Sequence, residues 1–161
     1  MHAPSEEKSD TSKESFYAEL DQVFDHLPKY HMKISLGDLN AKVGRENNFK
    51  PTIGQESLHQ HSNDNGVRLL NFATSKNQVV KSTMFPRRNI HKYTWTSPDG
   101  KTHNQIDHIL IDRRWQSSVL DVRSFRGADC ETDHYLVMVK VRERLAVGKQ
   151  AAQKFDKQRF K

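Results

Sequence analysis

The sequence lacks the cysteine pairs and the long apolar runs that disulfide bonds and membrane spans require. Its one cysteine, Cys130, cannot form an internal disulfide, and this fits a reducing compartment. No apolar run approaches the ~20 residues that cross a bilayer, and the polar start of the sequence has no signal-peptide core. We therefore expect an intracellular protein without a membrane partner.

Motifs of several common catalytic sites are also missing. The sequence has no glycine-rich phosphate loop and no Ser-x-x-Lys or Gly-x-Ser-x-Gly element. His59 and His61 could share a strand face, but no further His or Cys follows at a ligand spacing, which argues against zinc at this pair. Cys130 lies near His134 without the strand–turn–helix context of a thiol nucleophile, and we interpret it as an incidental thiol.

What is present is a polar, basic chain of about one domain. Its 161 residues are 34% hydrophobic and 29% charged, with a net charge of +6. Seven basic residues against two acidic ones give the stretch 142–161 most of that charge. Such a stretch is a solvated helix or linker more often than a binding arm. We therefore predict a domain over 1–141 and a basic tail or linker over 142–161.

Hydrophobic spacing predicts alternating helices and strands. A first helix is predicted from a capping-box-like Thr11–Glu14 to Pro28, and a second is capped by Asn63 or Asp64. Residues 113–115 open a short helix. Strands are predicted at 32–36, 78–83, 94–96, 105–111, 119–123 and 135–141. The pattern indicates an α/β fold with a mixed or antiparallel sheet.

Three short acidic signatures follow apolar, strand-like runs in a fixed order: Gly37-Asp38-Leu39-Asn40, Gln105-Ile106-Asp107-His108 and Thr132-Asp133-His134. The apolar residues before the first signature alternate at period two, which predicts that Asp38 and Asn40 lie on one side of a strand. Side chains at the ends of separate strands can converge on one phosphate. The signatures therefore predict a metal-and-phosphate site.

Together with Thr94-Trp95-Thr96-Ser97, these signatures resemble the second half of the endonuclease/exonuclease/phosphatase superfamily. Within it, the runs 57–72 and 94–110 resemble the apurinic-type endonuclease of RTE/Bov-B non-long-terminal-repeat (LINE) retrotransposons and the host-derived craniofacial development protein 2-like sequences. The likeness covers roughly residues 1 to 155. It implies a deoxyribonuclease-I-like four-layer α/β sandwich, of which 1–141 is the second half.

The resemblance also implies roles for the signature residues in a nuclear, or nuclear and cytoplasmic, endonuclease that uses Mg²⁺ or Mn²⁺ to nick DNA. Asp38 would handle a proton at the scissile phosphate. Asn40 would donate to a phosphate oxygen, and Asp133 would bind the metal or water. Asp107 would orient His134, which would donate to the pentacoordinate phosphorane.

Two departures from the superfamily pattern leave two functions open. Nothing here takes the place of the first-half Asn and Gln-Glu segments, whose Glu is a Mg²⁺ ligand, and His2 stands where a phosphate-contacting Tyr is often found. The chain is either an endonuclease module impaired by loss of its first half, or a non-catalytic, host-retained remnant that binds nucleic acid or protein. The missing half or a second copy would cover the exposed sheet face of such a half-sandwich.

A basic loop supplies the predicted DNA contact. No acidic residue lies between Asp64 and Asp99, while basic residues alternate with aromatic ones, as phosphate and base contact require. An ordinary surface loop is the alternative. The residues predicted to bind DNA are Arg87, Arg88, His91 and Lys92.

Overall fold

The computed structural model describes residues 1–125 and 133–142, so most of the predicted tail lies outside the described residues. Helices and strands alternate only as far as β2, and strands then follow one another: α1 (Asp10–His26), β1 (Ile34–Asp38), α2 (Asp64–Ser75), β2 (Gln78–Val80), β3 (Trp95–Thr96), β4 (His103–Asn104), β5 (Asp107–Asp112), β6 (Val119–Phe125) and β7 (Leu136–Val141). The predicted short helix is a 3-10 helix over Arg113–Ser118. Neither α1 nor α2 combines the length and apolar character of a membrane-crossing helix.

Helix α1 starts before the predicted cap. Ser9 has extended backbone angles, and its hydroxyl accepts a hydrogen bond from the Ser12 amide at 3.2 Å, so Ser9 is the N-cap. Thr11, the cap that the sequence predicted, lies in the first turn instead. Phe24 on the buried side of α1 packs edge-on against Phe72 of α2, with 5.3 Å between ring centres.

Helix α2 begins against the segment that follows β1. Asn63 caps it as predicted, since its side-chain oxygen accepts from the Gly66 amide at 2.8 Å. The same oxygen accepts from the Lys42 amide at 3.1 Å. A side chain on Gly66 would overlap the carbonyl oxygen of Lys42, so only glycine permits this approach. The cap therefore holds α2 close to the chain just beyond β1.

Strands β1, β5 and β2 form an antiparallel sheet with β5 in the middle. Its register pairs Ile34 with Ile111 and Asp38 with Asp107. The first strand runs two residues later than predicted, so Asp38 is its last residue rather than a residue beyond its end. The two aspartates therefore lie directly opposite each other at one edge of the sheet.

The strand predicted at 105–111 is divided between two sheets. Residues 103–104 form β4, which pairs with β3 around a turn where Gly100 has a φ of +74°. Strand β5 begins only at Asp107 and belongs to the main sheet. The strand predicted at 78–83 likewise stops at Val80 and continues as a 3-10 turn. Strands β6 and β7 form a separate antiparallel ribbon.

Two cores cover the two faces of the main sheet. One lies between the sheet and the helices and contains Leu69, Leu70 and Leu110. The other lies between the sheet and the β6–β7 ribbon and is built from Val79, Ile109, Ile111, Val119 and Val122. Each fully buried aliphatic side chain stabilises the fold by roughly 1.5–3 kcal/mol relative to its exposed state.

Some apolar surface stays uncovered at the edge of the second core. Leu36 of β1 is 42% exposed, and Leu136 and Met138 of β7 are 55% and 41% exposed. Leu36 and Leu136 line an open groove of about 210 Å³ between the sheet and the ribbon. We call these three residues the apolar edge.

Candidate active site

Asp38 and Asp107 are brought together by the register of β1 and β5. They are Cα partners, and the amide of Leu39 donates to the carbonyl of Ile106 at 3.0 Å, which extends the pairing past the strand ends. Their side chains are mostly buried, at 16% and 19% exposure. A sheet edge thus holds two carboxylates in fixed positions.

Asn40 fixes the Asp38 carboxylate through a tight turn. The Asn40 backbone has a φ of +47°, and its amide donates to Oδ1 of Asp38 at 3.0 Å. The Asn40 side-chain amide donates to the carbonyl of Ala3 at 2.7 Å. One amide proton of the predicted phosphate donor is therefore occupied within the protein. Asn40 lies beyond the end of β1, in this turn and not in extended backbone.

His134 is placed by the short strand β3. It forms an isolated antiparallel bridge with Trp95, and the flanking amides of Thr96 and Tyr135 complete the pairing, with Tyr135 donating to the Thr94 carbonyl at 2.9 Å. The Thr94 hydroxyl accepts from the amide of Asp107 at 3.2 Å. Thr94 therefore links the strand that carries Asp107 to the segment that carries His134.

The three side chains meet in one cluster. Nδ1 of His134 lies 3.1 Å from Oδ2 of Asp107, and Nε2 lies 3.4 Å from Oδ2 of Asp38. Ligand atoms of all three residues lie within 4.8 Å of one another, a spacing that could hold a metal ion. The predicted pairing of Asp107 with His134 is present in the structure.

The pKa of Asp107 is raised by its burial and by a neighbouring negative charge. Burial in a poorly hydrated position raises its pKa, and the neighbouring Asp38 carboxylate raises it further. The Thr94 hydrogen bond and the His134 ring oppose this increase. The arrangement favours a positive charge between or beside the two carboxylates.

His2 lies at the rim of the cluster. Its backbone forms a parallel bridge with Asp38, the amide of Ala3 donates to the Asp38 carbonyl at 2.9 Å, and its Nδ1 lies 3.7 Å from Oδ2 of Asp38. An open groove of about 860 Å³ leads from Asp38 and His134 along the first turns of α1. The groove is open to solvent and gives access to the cluster.

Asp133, the predicted metal ligand, is not part of this cluster. Its side chain is exposed, and its carbonyl accepts from the Thr96 amide at 3.0 Å. Thr132 of the same signature and Cys130 lie outside the described residues. The metal-binding role of Asp133 stays a prediction, and its backbone contributes to placing His134.

Two of the basic residues in the predicted DNA-binding loop form ion pairs with acidic residues elsewhere in the fold. Lys92 is buried, with its Nζ 3.4 Å from Oε2 of Glu56. Arg87 forms an ion pair with Asp121. Arg88 is exposed at the start of a short 3-10 helix.

His91 of the same loop is half-buried, and its Nδ1 lies 3.2 Å from the Ser124 carbonyl. Arg87 and Arg88 are therefore the exposed cations of the four predicted contacts, and Arg87 is ion-paired with Asp121.

Sequence reasoning missed His108, which lies behind the site. It is buried, its Nε2–H donates to the Ala41 carbonyl at 2.7 Å, and its Nδ1 accepts from the Ser82 hydroxyl at 2.9 Å. Burial lowers the pKa of His108 to about 4 and keeps the ring neutral. The sequence signal for a buried histidine next to the site was the position of His108 directly after Asp107 in an apolar strand.

His59 and His61 do not form a metal site together, and His59 has a structural role instead. Nε2 of His59 accepts from the Gln105 amide at 3.1 Å, and burial lowers the pKa of His59 to about 4. His61 is exposed. Among described residues, the cluster of Asp38, Asp107 and His134 is the group with metal-ligand spacing.

Sequence comparison relates the chain to craniofacial development protein 2. It is 37% identical to that protein from Tragulus javanicus over 132 residues and 35% identical to that from Bos taurus over 147 residues. These alignments cover 82% and 91% of the chain but 23% and 24% of the relatives. The chain thus spans about a quarter of the curated relatives it matches. No family model matches it.

Structural comparison places the chain among deoxyribonuclease-I-like nuclease folds. It aligns with the endonuclease domain of TRAS1, a telomere-specific non-LTR retrotransposon, with a TM-score of 0.58, 11% identity, and coverage of 89% of this chain and 56% of that one. It aligns with the 3′ phosphatase NExo from Neisseria, bound to a product DNA hairpin, with a TM-score of 0.56, 21% identity, and coverage of 83% and 54%. The predicted α/β fold class is confirmed.

Proposed function

We propose that this chain, which has a deoxyribonuclease-I-like nuclease fold and is similar in sequence to craniofacial development protein 2, is the second half of a DNA endonuclease module of retrotransposon origin. The observation that carries the proposal is the convergence of Asp38, Asp107 and His134 at one sheet edge. The reaction assigned to the module is hydrolysis of a DNA phosphodiester bond.

Each of the three residues has a chemical role consistent with its contacts. Asp107 accepts the Nδ1–H of His134 and fixes the ring so that Nε2 faces Asp38 and the groove. In its protonated form, His134 can donate Nε2–H to a phosphate oxygen as negative charge develops there. The Asp38 carboxylate, oriented by the amide of Asn40, can accept a proton from the attacking water.

The donor set fits a divalent cation. Carboxylate oxygens suit Mg²⁺ and Mn²⁺, and these ions commonly take one or two carboxylates together with substrate phosphate oxygens. Asp38 and Asp107 would hold the ion on the protein side, and their mutual repulsion would fall on binding it. The ion, when bound, would stabilise negative charge on the phosphate.

The groove beside the cluster supports DNA as the substrate. Lys8 and the hydroxyl-bearing residues of the first turns of α1 line it, and His2 lies near the reacting position. Lysines and hydroxyl groups contact DNA backbones in a sequence-independent way. Exposed Arg88 supplies a further positive charge in the predicted DNA-binding loop.

Full activity would require the rest of the fold. The chain aligns with 54–56% of each nuclease structure, and the apolar edge of Leu36, Leu136 and Met138 is the surface where further strands could pack. A first-half segment of a related element would cover this edge and could add a carboxylate to the cluster. We expect the chain without it to nick DNA on the order of a hundredfold more slowly.

A nicking assay on supercoiled plasmid, with Mg²⁺ or with EDTA, tests the proposal. Co-expression with a first-half segment should raise Mg²⁺-dependent nicking at least a hundredfold. Asp38→Asn and His134→Ala should each abolish the gain, and His61→Ala, an exposed histidine away from the site, should retain it. If the assembled protein binds DNA but does not nick it, the chain is a non-catalytic remnant and the enzyme proposal is wrong.

A further inference from the structure

Asn65 is a buried asparagine in the first turn of α2, behind the groove that leads to Asp38. It is 2% exposed. Its side-chain Nδ2 lies 3.0 Å from the Pro4 carbonyl oxygen and 3.0 Å from the Asn40 carbonyl oxygen. Carbonyl oxygens only accept hydrogen bonds, so the Asn65 side chain donates one hydrogen to each. One side chain therefore connects α2 to two segments that line the groove.

Asn40 is the partner of Asn65 that bears on the chemistry. Its φ of +47° is a left-handed conformation, which few residues other than glycine adopt without local hydrogen bonds. In this conformation its amide donates to Oδ1 of Asp38 at 3.0 Å. The Asn65 side chain donates to the carbonyl at the other end of the same residue. Asn65 and Asn40 therefore orient the Asp38 carboxylate through two hydrogen bonds in series.

Asn65 also fixes the first residues of the chain. Its backbone amide donates to Oε2 of Glu6 at 3.0 Å, in addition to the side-chain bond to Pro4. The Ala3 amide in the same segment donates to the Asp38 carbonyl at 2.9 Å. This segment forms one wall of the groove, so the wall and the carboxylate share one support in α2.

We propose that Asn65 is a positioning residue of the nuclease site, which holds the Asn40 turn and thereby keeps the Asp38 carboxylate in place to accept a proton from the attacking water. The inference rests on the proposed function, because it gives Asn65 a part in the same reaction through contacts with the protein alone. Reacting groups need to be held within about 0.5 Å by neighbours that are themselves fixed. A side chain at 2% exposure with both amide hydrogens donated meets this condition.

Hydrogen exchange of the whole chain without DNA, followed by NMR, tests the hold on the turn. The Asn40 amide is bonded to Asp38, so its exchange rate reports how often the turn opens. Asn65→Ala should speed this exchange about tenfold or more relative to the backbone amides of β5. Thr74→Ala is the matched control, because it removes a side-chain hydrogen bond, to Thr52, from the last turn of the same helix. It should leave the relative rate unchanged.

Asn65→Asp separates the lost hydrogen bonds from the lost volume. It keeps the shape of the side chain and places acceptors where the two donors were, so it should speed Asn40 exchange about as much as Asn65→Ala does. Urea unfolding shows whether each variant is folded, and Asn65→Asp carries the test if Asn65→Ala does not fold.

Nicking by the protein co-expressed with a first-half segment tests the effect on the reaction. Asn65→Ala should lower kcat about tenfold or more, because a small displacement of Asp38 slows the chemical step. The KM for duplex DNA should change less than about threefold, because Asn65 is buried away from the substrate. Thr74→Ala should retain the kcat of the parent.

The outcomes separate this inference from the proposed function. Asn40 exchange that rises no more in the Asn65 variants than in Thr74→Ala overturns the positioning role, whether or not the protein nicks DNA. Faster exchange with an unchanged kcat, or a raised KM alone, also overturns it and leaves the nuclease intact. Faster exchange in an assembled protein that never nicks DNA supports the hold of Asn65 on the Asp38 turn and overturns the proposed function instead.

Discussion

Mild acid should destabilise this protein through His108. The ring is buried behind the site, with its Nε2–H donated to the Ala41 carbonyl and its Nδ1 accepting from the Ser82 hydroxyl. Protonation at Nδ1 would remove the acceptor for Ser82 and place a charge in the core. This is why burial lowers the pKa of His108 to about 4 from its ordinary value of 6.5.

The magnitude follows from the two pKa values of His108. The unfolded chain takes up a proton near pH 6.5 and the folded protein only near pH 4. The stability contributed by the neutral ring is therefore complete above pH 6.5 and is lost progressively as the pH falls towards 4. Between pH 7 and pH 5 the loss amounts to about 2 kcal/mol, a large part of the stability of a small domain.

Urea unfolding followed by circular dichroism at pH 7, 6 and 5 measures this loss. His108→Gln removes the titrating group and keeps a side-chain N–H that can reach the Ala41 carbonyl. The variant should be less stable at pH 7, but its loss between pH 7 and 5 should be about 2 kcal/mol smaller than that of the parent. His61→Gln, at an exposed position, should behave as the parent does. If the parent and His108→Gln lose the same stability on acidification, the argument from His108 is wrong.

Two further predictions concern the fold and the basic loop. Gly66→Ala should lower the free energy of unfolding by about 1–3 kcal/mol, because the new methyl group overlaps the Lys42 carbonyl. Asn71→Ala, on the exposed side of the same helix, should not lower it. Urea titration of both variants measures the difference. Arg88→Ala should reduce the slope of log affinity for duplex DNA against log salt by roughly 0.9. Lys92→Ala should leave this slope unchanged, because Lys92 is buried and ion-paired. Equal slope changes for the two variants in a filter-binding series would contradict the prediction.

The pairing of Asp107 with His134 could be predicted because it depends on short, ordered motifs. Each signature follows or opens a strand, and strand register then converts sequence position into spatial proximity. The predicted strand boundaries were less accurate at residues 103–112, because this stretch contributes one strand to each of two sheets. Period-two alternation identifies a strand, but it does not show with which partner each part of the strand pairs.

The basic loop shows why charge is harder to interpret than a motif. Lys92 and Arg87 look like DNA contacts in the sequence because no acidic residue lies near them in the chain. Their partners, Glu56 and Asp121, lie more than thirty residues away on either side. A local count of charges cannot include such partners, so two cations that look unpaired in the sequence form ion pairs in the fold.

His2 presents the reverse case, in which an ordinary residue gains a role from its place in the fold. It lies 36 positions before Asp38 in the sequence, and its imidazole reaches the cluster only because the first residues pair with the end of β1. That pairing does not depend on the histidine side chain, so a different residue would occupy the same place beside Asp38. The pairing of the first residues with β1 therefore decides which side chain lies beside Asp38 at the rim of the groove.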